Sequence, residues 1–257
     1  MSDDDTWSTL KRFTDARIGL GRTGSALPTN EVLKFSLAHA RARDAVTAPT
    51  DWDAVEQSIA ALALPTHRIA SAAETRDIYL RRPDLGRTLS EASRASLSAL
   101  GRQDSDLMIL AGDGLSSTGL TANAAAVIAA LQPHIKKNGW QLAPVLLASQ
   151  ARVALADEAG DILGAKAALV LIGERPGLSS PDSLGAYLTW HPRLGRSDAE
   201  RNCVSNIRQG GLSHDEGAFK IAWLLGQALK FRLTGVALKD ESDQVRIGAE
   251  AAPRIGA

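Results

Sequence analysis

The chain has 257 residues, 44% of them hydrophobic and 23% charged, which is enough apolar material for a sizeable core and excludes a disordered or fibrous protein. Lys plus Arg and Asp plus Glu number 29 each, so no excess of positive charge exists to neutralise a run of phosphates and a general nucleic-acid binder is disfavoured. Cys203 is the single cysteine, which excludes an internal disulfide and a multi-cysteine zinc site; with no signal-like h-region and no run of about 18 apolar residues, a soluble intracellular protein is expected.

In chain order, the first hundred residues read as helices joined by turns. EVLKFSLAHARARDAV, residues 31–46, carries an imperfect helical stripe with Asn30 as the expected N-cap. Thr50 and Asp53 suggest a capping box for a second helix through Val55, Ile59 and Leu62. A third, ETRDIYLRR, stops before Pro83. No segment here alternates with period two, so residues 1–100 are expected to form a helical N-terminal arm or subdomain, separate from residues 101–257.

From residue 105 the pattern changes. LMILA, Leu107 to Ala111, is a short buried run ended by Gly112-Asp113-Gly114, and Thr118 to Lys137 reads as a helix closed by Asn138-Gly139. LAPVLLA and AALVLIG repeat the pattern around a helix that ends at Gly164, and GAYLTW is a further strand candidate. Ser213 with Glu216 opens a last helix, and Val236 to Leu238 is a short final strand candidate. Apolar runs alternating with helices predict an α/β fold: a Rossmann-like, mostly parallel sheet with helices on both faces. Ligand sites in such sheets lie beyond the carboxyl ends of the strands. The loops 112–117, 150–153 and 173–177 should therefore share one rim.

GDGLSSTG follows a strand and opens a helix, but Gly119 falls two positions too late for a dinucleotide fingerprint. Both a tight glycine turn and direct contact with a ligand fit it, and a stand-alone nucleotide enzyme is one rival function. In GERPGLSSPDSLG, Glu174 can accept hydrogen bonds and Arg175 can donate a planar fork, or the two can tie the loop to the sheet. Cys203 reads first as a small buried hydrophobe; a nucleophile would need His191 or His214 as base, and nothing in the spacing pairs them. The five histidines form no metal-binding pair. His39 and Arg43 in HARARD read as a solvated or inter-subunit polar face.

LAHARARDAV, LRRPDLGR, GDGLSS, RVALADEAGDILGA, VLIGERPGLSSPDSLGAYLT and DAERNCVSNIRQGGLS occur in the order found in the small subunit of ethanolamine ammonia-lyase. The resemblance runs from about residue 9 to residue 240, and its last three motifs are long enough to be highly specific. It implies an adenosylcobalamin-dependent lyase whose large subunit holds ethanolamine while the small one closes over the cofactor. In that family a 5′-deoxyadenosyl radical takes hydrogen from substrate carbon, giving acetaldehyde and ammonia. Residues 101–257 would then be the cobalamin-binding domain, and no catalytic or metal-ligating residue falls on this chain.

The resemblance carries three cofactor contacts over: Val153 in RVAL, Glu174 in GERPG and Cys203 in RNCVSNI. A corrin rim has amides that donate to a carboxylate, while its body suits aliphatic walls, so a mostly uncharged shelf is expected. The chain lacks D-x-H-x-x-G, which implies that dimethylbenzimidazole stays on cobalt. Some family members carry a longer microcompartment-directing extension; with about eight residues before the matching region here, the cytoplasm is expected first and a bacterial microcompartment lumen second. A purely structural assembly subunit is the other rival.

Overall fold

The apolar runs become strands buried on both faces in a computed structural model that describes residues 3–245. β1 is Thr66–Ala70, β2 Leu107–Gly112, β3 Val145–Ser149 and β4 Ala167–Gly173; β5, Leu184–Trp190, and β6, Arg201–Ile207, complete a sheet of order β1-β3-β2-β4-β5-β6. Alternate residues of the central strands enter two different cores. Leu107, Ile109, Ala111, Leu169 and Leu171 face α3 (Trp52–Ala60), α6 (Ser117–Asn138) and α8 (His214–Phe231). Met108, Leu110, Leu146, Ala168 and Val170 face α5 (Glu91–Leu100) and α7 (Leu155–Leu163). The period of two in a strand produces this division, and each fully buried aliphatic side chain contributes about 1.5–3 kcal/mol.

The fold is α/β with helices on both faces, but the sheet is mixed. β1, β3, β2 and β4 run parallel, whereas β5 is antiparallel to β4 and β6 antiparallel to β5. The Rossmann-like expectation is corrected accordingly: parallel pairing stops at β4 because Gly173 to Leu184 folds back as a loop, without the crossover helix that a parallel neighbour requires.

The expectation of helices alone in the first hundred residues is corrected as well, since β1 pairs with β3 along its whole length. That strand, THRIA, has one buried residue, Ile69, and so no alternation to detect. β6 went unrecognised for a related reason: Arg201, Val204 and Ile207 are buried while Cys203, Ser205 and Asn206 are exposed, as suits an antiparallel edge strand. Val236 to Leu238 is no strand; Gly235–Ala237 is a 3-10 turn with Val236 exposed.

Helix ends follow local chemistry. Ser213 accepts from the Glu216 N–H as expected, and the left-handed Gly139 and Gly164 close α6 and α7. Asn30 lies inside α2 (Thr29–Thr47), and Asp51, not Thr50, caps α3 by accepting from Ala54 N at 3.0 Å. α1 is Asp3–Leu10 and α4 is Arg76–Arg81.

Candidate functional site

From β2 the chain passes through α6 to β3 on one side, then through α7 to β4 on the other. This reversal opens a crevice beyond the carboxyl end of β2. Two adjoining cavities of about 490 and 320 Å³ lie there and share Arg152, Val153 and Tyr187. The larger is also lined by Tyr79, Gly114 and Glu174, the smaller by Arg87, Arg201 and Cys203. They form one trough, so the loops after β2, β3 and β4 share a rim as expected.

The rim is held together by the loops themselves. The buried Asp113 carboxylate accepts from Gln150 N at 3.0 Å and Ala151 N at 3.1 Å, with Arg76 at 3.8 Å. Burial pushes its pKa up, against the pull of those amides and of Arg76. Gly114 takes φ +55° and packs where a Cβ would overlap the Gly173 carbonyl, while Leu115 N donates to that same oxygen at 2.9 Å. The GDG turn is thus a junction between loops, and it also presents Gly114 and Leu115 to the larger cavity.

Tyr79 forms part of the cavity wall between two arginines. Its hydroxyl donates to Ala151 O at 3.0 Å, and the Arg76 and Arg152 guanidiniums lie 4.8 and 4.4 Å from its ring centroid. Burial pushes its phenol up to about 12 despite the Arg152 charge. Arg76 donates Nε to Val46 O at 2.8 Å and Nη1 to Gly114 O at 2.7 Å, while its Nη2 and the Nε of Arg152 are buried without hydrogen-bond partners among the described residues. Such orphaned donors are rare in native interiors.

The three sequence-derived residues meet on this trough from separate segments. Val153 is half-buried between the cavities. Glu174, just past β4, accepts from Ser183 Oγ and from Asn206 N at 3.1 Å through Oε2, whereas Oε1 has no partner among the described residues. Cys203 is exposed, which corrects the reading of a buried thiol; its Sγ lies 3.1 Å from Ser205 Oγ. Cys203 is the cross-strand partner of Tyr187, whose phenol is raised by burial first and by the Cys203 neighbour second. Arg175 is exposed on the rim and forms no ion pair among the described residues; the loop is tied down instead by Glu174, by Ser116 Oγ donating to Pro181 O at 2.7 Å and by Asn123 Nδ2 donating to Asp182 O at 2.8 Å.

Sequence reasoning placed Arg152 on the rim only as part of the loop 150–153 and missed Tyr79, Arg87 and Tyr187, which periodicity cannot distinguish from ordinary helix, turn and strand residues. It also missed a buried ion pair, Arg201 to Asp157, with Nη–O distances of 2.6 and 2.7 Å. The shelf expected to be mostly uncharged has Leu115, Val153, Ala154 and Ile172 in its walls, and it also carries arginines and two tyrosines. The histidines stay apart. His214 bonds Asn123 at 2.8 Å, His67 bonds Ser96 at 2.7 Å, and His39 is exposed beside Phe35. Among the described residues no three His, Cys, Asp or Glu side chains gather as metal ligands, and no single helix is long and apolar enough to cross a membrane.

Fold and trough together define an α/β protein whose crevice opens at the strand tips, beside an exposed antiparallel edge. A family model for the ethanolamine ammonia-lyase light chain (EutC) matches residues 4–239. The ethanolamine ammonia-lyase small subunit of Rhodopseudomonas palustris is 54% identical, covering 91% of this chain and 89% of that protein. Its counterparts in Bradyrhizobium diazoefficiens, at 52% over 95% and 92%, and in Pseudomonas aeruginosa, at 46% over 99% and 94%, are similar along the same length. The chain belongs to the ethanolamine ammonia-lyase light-chain family.

Proposed function

We propose that this chain is the small subunit of an adenosylcobalamin-dependent ethanolamine ammonia-lyase, and that its trough helps hold the cofactor against a large subunit that carries ethanolamine. The reading is supported by one observation above others: Val153, Glu174 and Cys203, far apart in the chain, line a single trough at the strand-order reversal. The donor set suits a corrin. Glu174 Oε1 can accept from rim amides, the under-used Arg152 can donate to rim carbonyls, and Val153 with Tyr187 offers apolar contact.

The bound cofactor supplies radical chemistry by which the complex turns ethanolamine into acetaldehyde and ammonia. This chain's residues bind it, orient it and keep water out. None serves as acid or base toward substrate. The cytoplasm is the proposed location, with a microcompartment lumen as the alternative.

A nucleotide enzyme built on GDGLSS fits less well. The Ser116 side chain already caps α6 by accepting from Gly119 N at 3.0 Å, and a Cβ at Gly119 would overlap the Ser183 carbonyl, so the helix start is covered. Visible-absorbance titration of the assembled complex with cobalamin tests the proposal. Glu174→Ala should weaken binding by about 1–3 kcal/mol. Unchanged affinity would leave the purely structural subunit as the better reading. Acetaldehyde release should require both chains, and turnover by this one alone would overturn the division of labour.

A further inference from the structure

The turn Leu85–Arg87 is fastened to the loop after β3. Gly86 O accepts from Arg152 N at 2.8 Å, and the approach is so close that a Cβ on Gly86 would come within 2.8 Å of Arg152 Cγ. This contact brings Arg87 and Arg152 to the same 320 Å³ cavity. Neither forms an ion pair among the described residues. Among the described residues, side-chain hydrogen bonding by Arg152 is limited to Nη2 on Tyr79 O at 3.4 Å, and its buried Nε has no partner.

The cavity's third arginine, Arg201, is neutralised by Asp157 behind the wall, at 2.6 Å. Asp198, the carboxylate lining the cavity, lies 3.4 Å from Arg201 and has a side chain 83% exposed, so solvent screens it. Arg87 and Arg152 line one cavity with no carboxylate in ion-pair contact with either among the described residues, and an oxyanion bound there would be attracted by both. The planar forks of Arg match phosphate oxygens in particular.

Resting on the function proposed above, we infer that Arg87 and Arg152 form the seat for the phosphodiester of the cofactor's nucleotide tail, the part of the cofactor periphery that carries a formal negative charge. Ring carboxamides are neutral and offer no such charge; they fall to the Glu174 side of the trough. LRRPDLGR, a motif otherwise without a task, would then serve the tail through its last residue.

Equilibrium dialysis of the assembled complex, wild type against Arg87→Gln and Arg152→Gln, tests this with two probes: cobalamin, and cobinamide, which lacks the tail and its phosphate. Each variant should raise the Kd for cobalamin about tenfold or more and leave that for cobinamide within a factor of two. Unchanged cobalamin binding would overturn the inference. So would a proportional loss of both probes, or weakened subunit assembly on gel filtration, which would assign the arginines to the ring or to a carboxylate of the partner. Should wild type take up no cobinamide, the ³¹P resonance of bound cobalamin decides: a shift in the variants supports the seat, and an unmoved resonance rejects it. Absence of cobalamin uptake by wild type would sink the proposed function itself, a separate outcome.

Discussion

Tyr79 shows how much one side chain of an unremarkable helix can organise. Its ring separates two cations, its hydroxyl satisfies the Ala151 carbonyl, and none of its surface reaches water. Tyr79→Phe keeps the aromatic face but strands that carbonyl, so a loss of about 1–3 kcal/mol in urea unfolding is expected. The pH dependence has a definite sign. The folded phenol titrates near 12 and the unfolded one at its ordinary 10.0. Across that interval the unfolded chain releases its proton first, so stability falls as pH rises from about 10 to about 12. Tyr79→Phe should lack this part of the alkaline decline, and a variant that tracks wild type through the interval would contradict the assignment. Nothing in ETRDIYLRR announced the role, because it depends on Arg152, which only the fold brings near.

At the level of elements, the pair Arg201–Asp157 clamps α7 to β6. Both side chains are almost fully buried, and Thr189 Oγ1 accepts from the same guanidinium at 2.8 Å. Burial disfavours both charges, raising Asp157 against the pull of Arg201, while the hydrogen bonds and charge of Asp157 hold Arg201 protonated against the same burial. Arg201→Met or Asp157→Asn alone should destabilise by about 3–5 kcal/mol in denaturant unfolding, whereas the double change Arg201→Met with Asp157→Leu should recover most of the loss, because an uncompensated buried charge costs more than the missing pair. Equal losses in single and double variants would rule out this account.

The clamp also explains what could be read in advance. β2 and β4 are apolar throughout because helices cover both their faces, and their runs stood out. β6 buries an arginine where an aliphatic residue would ordinarily sit and points polar groups outward on the alternate positions, so its pattern resembles a loop. Cap residues were legible where a Ser-x-x-Glu box stood alone, as at Ser213, and misplaced by one residue where Thr50 and Asp51 competed.

For the whole molecule, the division into a parallel core and two antiparallel strands decides where the trough lies. Loops after β2, β3 and β4 were legible as one rim from strand–turn–helix order alone. Its floor was not: Tyr79 and Arg87 come from the first hundred residues, Tyr187 and Cys203 from the antiparallel hairpin, and only three-dimensional pairing unites them. The residue triad Val153, Glu174 and Cys203 came from motif likeness, and its gathering on one surface is geometry that no spacing rule contains.

Because its lining is drawn from segments between Tyr79 and Cys203, the crevice exists only once this central half of the chain has found its place. No fragment cut between Tyr79 and Cys203 should retain it, and occupancy is coupled to the folding of that region. A ligand present at a hundred times its Kd would shift that equilibrium by about 2.7 kcal/mol toward the native form. Limited proteolysis of the assembled enzyme should accordingly slow at cut sites throughout this subunit when cobalamin is added, including sites remote from the crevice, and protection confined to the rim loops would show that uptake and folding are uncoupled. Nutrient supply would then set the lifetime of the polypeptide as well as its activity.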